Sequence, residues 1–192
     1  MTSSRPKRLR HEIARGTRTV LRRKLPSDAA DDYRWQCDAE LARLDATTPL
    51  DCSFEDYQAE YVYELEQPGP LLRHTFAIDT LEDGRHIGNA VYYNVDTLRR
   101  EAELGIMIGD RAYWDRGYGS DAVRTLVDYI FRTTGLERIY LKTLRDNTRA
   151  QKCFLKSGFR PGGYLEKDGY SFLLMEQTRA DWAKRARPEA TT

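Results

Sequence analysis

The sequence predicts one α/β domain: a single mixed, mostly antiparallel sheet with one parallel βαβ crossover and flanking helices. Three observations predict it. The chain has 192 residues, 40% hydrophobic and 32% charged, the size and balance of one globular domain. Between residues 74 and 109, short runs with strand character alternate with turn signals. Over residues 119–135 the hydrophobic period changes to that of a helix and then returns to a strand, the pattern of a crossover between parallel strands.

The elements follow in order. Residues 1–24 carry nine basic side chains and one acid, Glu12, so residues 1–17 read as a basic arm before a folded unit at 18–184, with a frayed tail at 185–192. Residues 18–22 read as a short strand closed by Pro26. Ser27 is the candidate N-cap of a helix over 28–45 that places Tyr33, Cys37, Leu41 and Leu44 at helical spacing. Ser53-Phe-Glu-Asp56 is a capping box for a second helix, with Tyr57, Tyr61 and Leu65 on one face, ended by Pro68-Gly69-Pro70. Residues 74–80 and 86–95 form a hairpin around Glu82-Asp83-Gly84, and 102–109 adds a third strand. Val123, Leu126, Val127, Ile130 and Phe131 mark the crossover helix, which begins near Gly119 and stops at Gly135; residues 137–144 then run parallel to 102–109. A helix at 147–157, closed by Gly158, and a hairpin over 159–177 around Lys167-Asp168-Gly169 complete the domain.

Composition narrows the chemistry. With 31 basic and 30 acidic side chains, the chain has no overall charge excess to drive nonspecific binding to nucleic acid or membrane. No apolar run reaches the roughly 18 residues of a bilayer span, and the first residues lack a secretory apolar stretch, so a cytoplasmic location is expected. Cys37, Cys52 and Cys153 form no C-x-x-C and read as free thiols, and three histidines without H-E-x-x-H suggest no metal. The G-x-S-x-G of serine hydrolases is absent.

Asp115-Arg116-Gly117-Tyr118-Gly119-Ser120 joins a strand to a helix. Glycines there let backbone N–H groups converge at the positive end of the helix, with Arg116 and Ser120 adding a cation and a hydroxyl, an arrangement that suits a diphosphate. The loop is neither a dinucleotide fingerprint, which needs a third glycine, nor a P-loop, which needs Gly-Lys-Ser/Thr. Ala102-Glu-Leu-Gly-Ile-Met-Ile108 precedes it; Leu136-Glu-Arg-Ile-Tyr-Leu-Lys142, Asn147-Thr-Arg-Ala150 and Lys156-Ser-Gly-Phe159 follow. In this order and spacing, these residues resemble the GNAT superfamily of N-acetyltransferases, in particular the branch of ribosomal-protein alanine and spermidine N-acetyltransferases. The resemblance runs from about residue 18 to about residue 179.

The resemblance implies acetyl-CoA as co-substrate, lying between the two parallel strands with its pyrophosphate on the N–H groups of Gly117, Tyr118, Gly119 and Ser120. Backbone groups of Ile106, Met107 and Ile108 would pair with the pantetheine and the thioester oxygen; Asn147 and Phe154 would contact the cofactor arm. Trp114 stands where much of the superfamily has Gln or Arg and implies packing instead of hydrogen bonding. Ala150 and Phe154 stand where relatives carry Ser or Tyr to protonate the leaving thiolate, so no acid is assigned. Helical spacing places Cys153 well round from the face of Asn147, Ala150 and Phe154.

An amine must lose a proton before it attacks, and Glu103, on the strand entering the site, is the candidate base; the competing reading is an ion-paired strand residue near Arg99 and Arg100. Residues 28–66 carry twelve acids and two bases; the resemblance implies that the first two helices flank the acceptor channel, so this charge favours a cationic acceptor such as a polyamine, an aminoglycoside-like amine or a basic peptide terminus, with a solvated helix face as the plainer alternative. The expected activity is acetyl transfer to a primary amine by direct attack on the thioester. Two other functions are compatible with the sequence: an acetyl-CoA-binding module without turnover, and an RNA- or ribosome-associated protein using the basic arm. Self-association is a further option.

Overall fold

A computed structural model describes residues 11–67 and 73–186. One eight-stranded sheet has the order β1-β2-β3-β4-β5-β6-β8-β7, made of β1 (Glu12–Arg15), β2 (Thr19–Arg22), β3 (Arg73–Thr80), β4 (His86–Asp96), β5 (Glu101–Ile108), β6 (Arg138–Leu144), β7 (Arg160–Lys167) and β8 (Tyr170–Thr178). Neighbouring strands are antiparallel except β5 and β6. The helices are α1 (Ala29–Gln36), α2 (Ala39–Leu44), α3 (Phe54–Glu66), α4 (Tyr118–Thr133), α5 (Thr148–Ser157) and α6 (Arg179–Ala186).

Four sequence expectations are corrected. Residues 12–15, assigned to the arm, form the edge strand β1, paired with β2 through Ala14↔Leu21 and Arg15↔Val20. The single helix over 28–45 is two helices. The Asp38 side chain accepts from the N–H groups of Glu40 and Leu41, so Asp38 caps a new helix instead of continuing the first. Ser27 lies inside a 3₁₀ turn at Pro26–Asp28, and Asp28 is the N-cap position of α1. Residues 179–186, read partly as tail, form α6; its Arg179 donates to the carbonyls of Phe131, Thr134 and Leu136 and so satisfies the C-terminal end of α4. The segment 1–10, the Pro68-Gly69-Pro70 stop and residues 187–192 lie outside the described residues.

The core forms where α4 crosses the sheet. Ala122, Val123, Leu126, Val127, Ile130 and Phe131 recur at helical spacing and pack against Ile78, Ala90, Leu104, Ile139, Leu141 and Met175. The opposite sheet face carries α1: Trp35 is buried on Gly109, where an added Cβ would lie 2.1 Å from the indole. Beneath α1 the buried carboxylates are paired. Arg22 donates to both oxygens of Asp28 at 2.8 Å and to Asp79 at 2.5 Å, while Lys24, Asn89, Tyr61 and His86 converge on Asp32. Burial alone would raise the Asp32 pKa, but these partners outweigh it and bring it to about 2.

β5 and β6 make three parallel residue pairs, ending at Glu103↔Tyr140. Beyond them β5 stays with β4 as far as Ile108 and β6 stays with β8 as far as Leu144, so the two strands fork. The fork leaves one edge of β5 open, and the site forms there.

Candidate active site

The open edge presents a definite set of backbone groups. The Arg100 carbonyl accepts from the N–H groups of Glu137 and Arg138 on the β6 side, whereas Gly109 N–H donates to Ile87 on the β4 side. Since backbone direction alternates along a strand, the N–H and C=O of Ile106 and Ile108 face the fork and those of Met107 face β4. The expected backbone pairing by Met107 is therefore corrected: its backbone groups face β4, although the residue lines the cavity. Trp114 takes one group of the set, its indole N–H donating to the Ile108 carbonyl at 2.6 Å, which corrects the expectation that it packs without hydrogen bonding.

The loop from β5 to α4 closes the mouth of the fork. Gly117 is in the left-handed region at φ 86°, where glycine carries no Cβ penalty, and serves as the N-cap of α4. The Asp121 N–H donates to the Gly117 carbonyl, so the N–H groups of Tyr118, Gly119 and Ser120 precede the first intrahelical bond and are open. Asp121 itself faces away from the mouth: its carboxylate accepts from the backbone and hydroxyls of Thr17 and Thr19 and from Arg18 N–H, which fastens the β1–β2 turn to α4.

A cavity of about 380 Å³ opens between this helix end and the β5 edge. Its walls include Ile106, Met107, Ile108, Trp114, Gly117, Gly119, Ser120, Asn147 and Phe154. Two expected side chains stay out of it. Arg116 is exposed and donates to the Ala112 carbonyl, and the buried Tyr118 ring packs edge-on against Tyr113 at 5.0 Å, so Tyr118 can offer only its backbone. The cations that do line the cavity are Arg18, Arg124, Arg149, Lys152 and Lys156. Arg124 lies one helical turn after Ser120, a spacing visible in the sequence.

Arg149 lies with its guanidinium carbon 3.1 Å from the centre of the Trp114 ring. Its Nη1 is buried without a partner among the described residues, and burial lowers its pKa. Cys153 also lines the cavity, which corrects the expectation that it points elsewhere. α5 packs on the first turn of α4, so Ser120 Oγ donates to Cys153 Sγ at 3.4 Å. Burial pushes the Cys153 thiol up, with Ser120 partly offsetting this. Open N–H groups at a helix end, a floor with no side chain at Gly119, five cations and an unpartnered guanidinium fit a diphosphate-bearing ligand.

A second cavity, about 250 Å³, continues from the first through the fork, and Leu44, Asp45, Ile106, Asn147, Ala150 and Phe154 line both. Glu103 lies in its wall, 2% exposed, with one oxygen 3.0 Å from Lys142 Nζ and the other accepting from Asn94 at 3.1 Å. It is thus ion-paired with Lys142, while Arg99 pairs with Asp96 and Arg100 with Glu137. Of the acids in residues 28–66, only Asp45 lines either cavity. Asp38 and Glu40 bind Arg111, Asp31 pairs with Arg34, and Asp28 and Asp32 are buried under α1.

An antiparallel sheet forked at its one parallel pair, with an open helix N-terminus at the mouth of the fork, defines an enzyme that draws an acyl group from a coenzyme A thioester. The comparisons agree. Residues 18–160 match the family model for the acetyltransferase (GNAT) domain. An uncharacterized N-acetyltransferase p20 of Bacillus licheniformis is 30% identical over 173 residues, covering 85% of this chain and 96% of that protein. In fold the chain is similar to spermidine N-acetyltransferase of Vibrio cholerae, solved with CoA and spermine (TM-score 0.74, 18% identity, 86% and 98% of the two chains). It is also similar to aminoglycoside acetyltransferase AAC(6')-Ib solved with coenzyme A (TM-score 0.69, 20% identity, 88% and 99%). The chain belongs to the GNAT acetyltransferase family and is an acetyl-CoA-dependent N-acetyltransferase.

Proposed function

We propose that this chain acetylates the primary amine of a polyamine, another cationic small molecule or a peptide N-terminus, by direct attack of the amine on the thioester. One observation carries the reading: the cofactor cavity runs through the β5–β6 fork into a second cavity, so a donor and an acceptor can approach the same open edge of β5 from two sides.

Acetyl-CoA supplies an activated acetyl thioester. The N–H groups of Tyr118, Gly119 and Ser120 hold its diphosphate at the positive end of α4, with Arg18, Arg124 and Arg149 adding charge. The N–H of Ile106 or Ile108 is the fixed donor that stabilises developing charge on the thioester oxygen. In the second cavity, Asp45 attracts an ammonium group, while Lys142 is held by Glu103 and Lys167 pairs with Asp168. A cationic acceptor is supported by Asp45 alone, because the other acids of residues 28–66 are paired or lie on outer surfaces.

Coenzyme A release over a panel of spermidine, kanamycin and an alanine-initiated basic peptide tests the reading. Amine-dependent release supports it. Tight acetyl-CoA binding with no release above the amine-free rate would instead identify a binding module.

A further inference from the structure

Resting on that reading, we propose that Asp45, not Glu103, accepts the proton of the attacking amine. Asp45 is the one carboxylate among the described residues that lines both the cofactor cavity and the acceptor cavity, and it shares that junction with Ile106 on the open edge of β5. Its position follows from a sharp chain reversal. Asp45 ends α2, its N–H donates to Leu41 and Ala42, and Ala46 after it adopts a left-handed conformation at φ 54°, a strained state for a residue with a Cβ. The reversal turns Asp45 toward the cavity, and Ala46 lines the acceptor side beside it.

The two carboxylates differ in what already occupies them. Glu103 accepts from Lys142 and Asn94 and is the cross-strand partner of Tyr93, so a proton taken up there would break an ion pair in a buried wall. The Asp45 carboxylate has no hydrogen-bond or ion-pair partner among the described residues. The residue is exposed, so solvent reaches the carboxylate, while the protein packed around it still raises its pKa above the ordinary value, with Arg73 offsetting part of the rise. A free carboxylate with raised basicity beside the reacting edge is the form a general base takes.

The step balances as follows. Asp45 takes one proton from the ammonium group, and the freed nitrogen lone pair forms the bond to the acetyl carbonyl carbon. The carbon–sulfur bond breaks with its electron pair on sulfur, and the second nitrogen proton passes to that sulfur, giving amide and thiol.

The test compares two kinds of nucleophile, one that needs a base and one that does not. Hydroxylamine is already unprotonated at neutral pH, whereas spermidine, kanamycin and an alanine-initiated peptide carry ammonium groups. With the fastest of the three protonated amines, D45N should lose roughly 10²-fold or more in kcat, the lower end for a general base. Its hydroxylamine rate, corrected for the enzyme-free reaction, should change less than about threefold, and the acetyl-CoA-induced rise in Tm should be retained, which shows the fold intact. E103Q should affect both nucleophiles alike. Equal losses of D45N on the two nucleophiles, or a loss confined to protonated amines in E103Q, overturns the assignment of Asp45 while leaving the enzyme reading in place. No turnover of any nucleophile by the unmodified protein overturns both.

Discussion

Replacing Gly119 by valine fills the floor of the cofactor cradle without straining the chain. A Cβ built at Gly119 meets Cys153 Sγ at 3.4 Å and Ile108 Cγ1 at 3.6 Å, ordinary contacts, and the residue is not in the left-handed region. The two methyl groups of valine then project into a cavity of about 380 Å³, where the diphosphate must approach the helix end. Hydrogen bonds to a charged group are worth about 1.5–3 kcal/mol each, so pushing the diphosphate off two N–H groups costs roughly 3–6 kcal/mol, or about 10²–10⁴ in Kd. Acetyl-CoA at a hundredfold excess over Kd stabilises the native protein by about 2.7 kcal/mol, which for 192 residues raises Tm by roughly 5–11 °C. A variant weakened 10²-fold gains about 0.4 kcal/mol at the same concentration, a rise of roughly 1 °C. Thermal melts with and without acetyl-CoA measure both, with Gly119→Ala as an intermediate control. A folded Gly119→Val protein with the full ligand-induced rise would refute the cradle.

Cys153→Ala should keep kcat within about threefold, because burial holds the thiol in its protonated, weakly nucleophilic form and direct attack needs no acetyl-cysteine; steady-state kinetics decides this. Asp121→Ala should lower stability by roughly 3 kcal/mol in urea unfolding, since it strips the carboxylate that anchors the β1–β2 turn to α4 and leaves its donors unpaired. Burial alone would lower the His86 pKa, but Asp32 and Asp79 outweigh it and raise it above the ordinary value. The charged imidazole therefore contributes stability that is fully present below about pH 6.5 and is lost as pH rises through the folded value. Urea melts across that range should show the decline in the native protein and not in His86→Gln. Asp56→Lys with Glu60→Lys, on α3 away from both cavities, should change KM for spermidine less than about twofold at 0.15 M salt.

Local signals carried the sheet and the cradle. The change of period at residue 119, the glycine at the left-handed position 117 and the Asn147 cap of α5 each act within a few residues, so they can be read along the chain. The break at Asp38 was also local, but a continuing apolar stripe through Leu41 and Leu44 concealed it. What escaped depends on contacts between distant segments. Asp121 finds its donors in Thr17, Arg18 and Thr19; Arg149 finds the Trp114 ring; and Cys153 enters the cavity because α5 packs on the first turn of α4. Charge misled twice. The basic count over residues 1–24 concealed the edge strand at 12–15, and the acidic count over 28–66 suggested a lined channel where most of the carboxylates are paired or outward.

The most direct test of the account follows the acetyl group itself, using acetyl-CoA labelled in that group and mass spectrometry of the products formed with each amine of the panel. The account predicts label on the amine nitrogen of at least one acceptor, equimolar with coenzyme A released, and its loss in Gly119→Val. Label recovered only as free acetate, or retained on the protein, would contradict direct transfer from a thioester held in the β5–β6 fork.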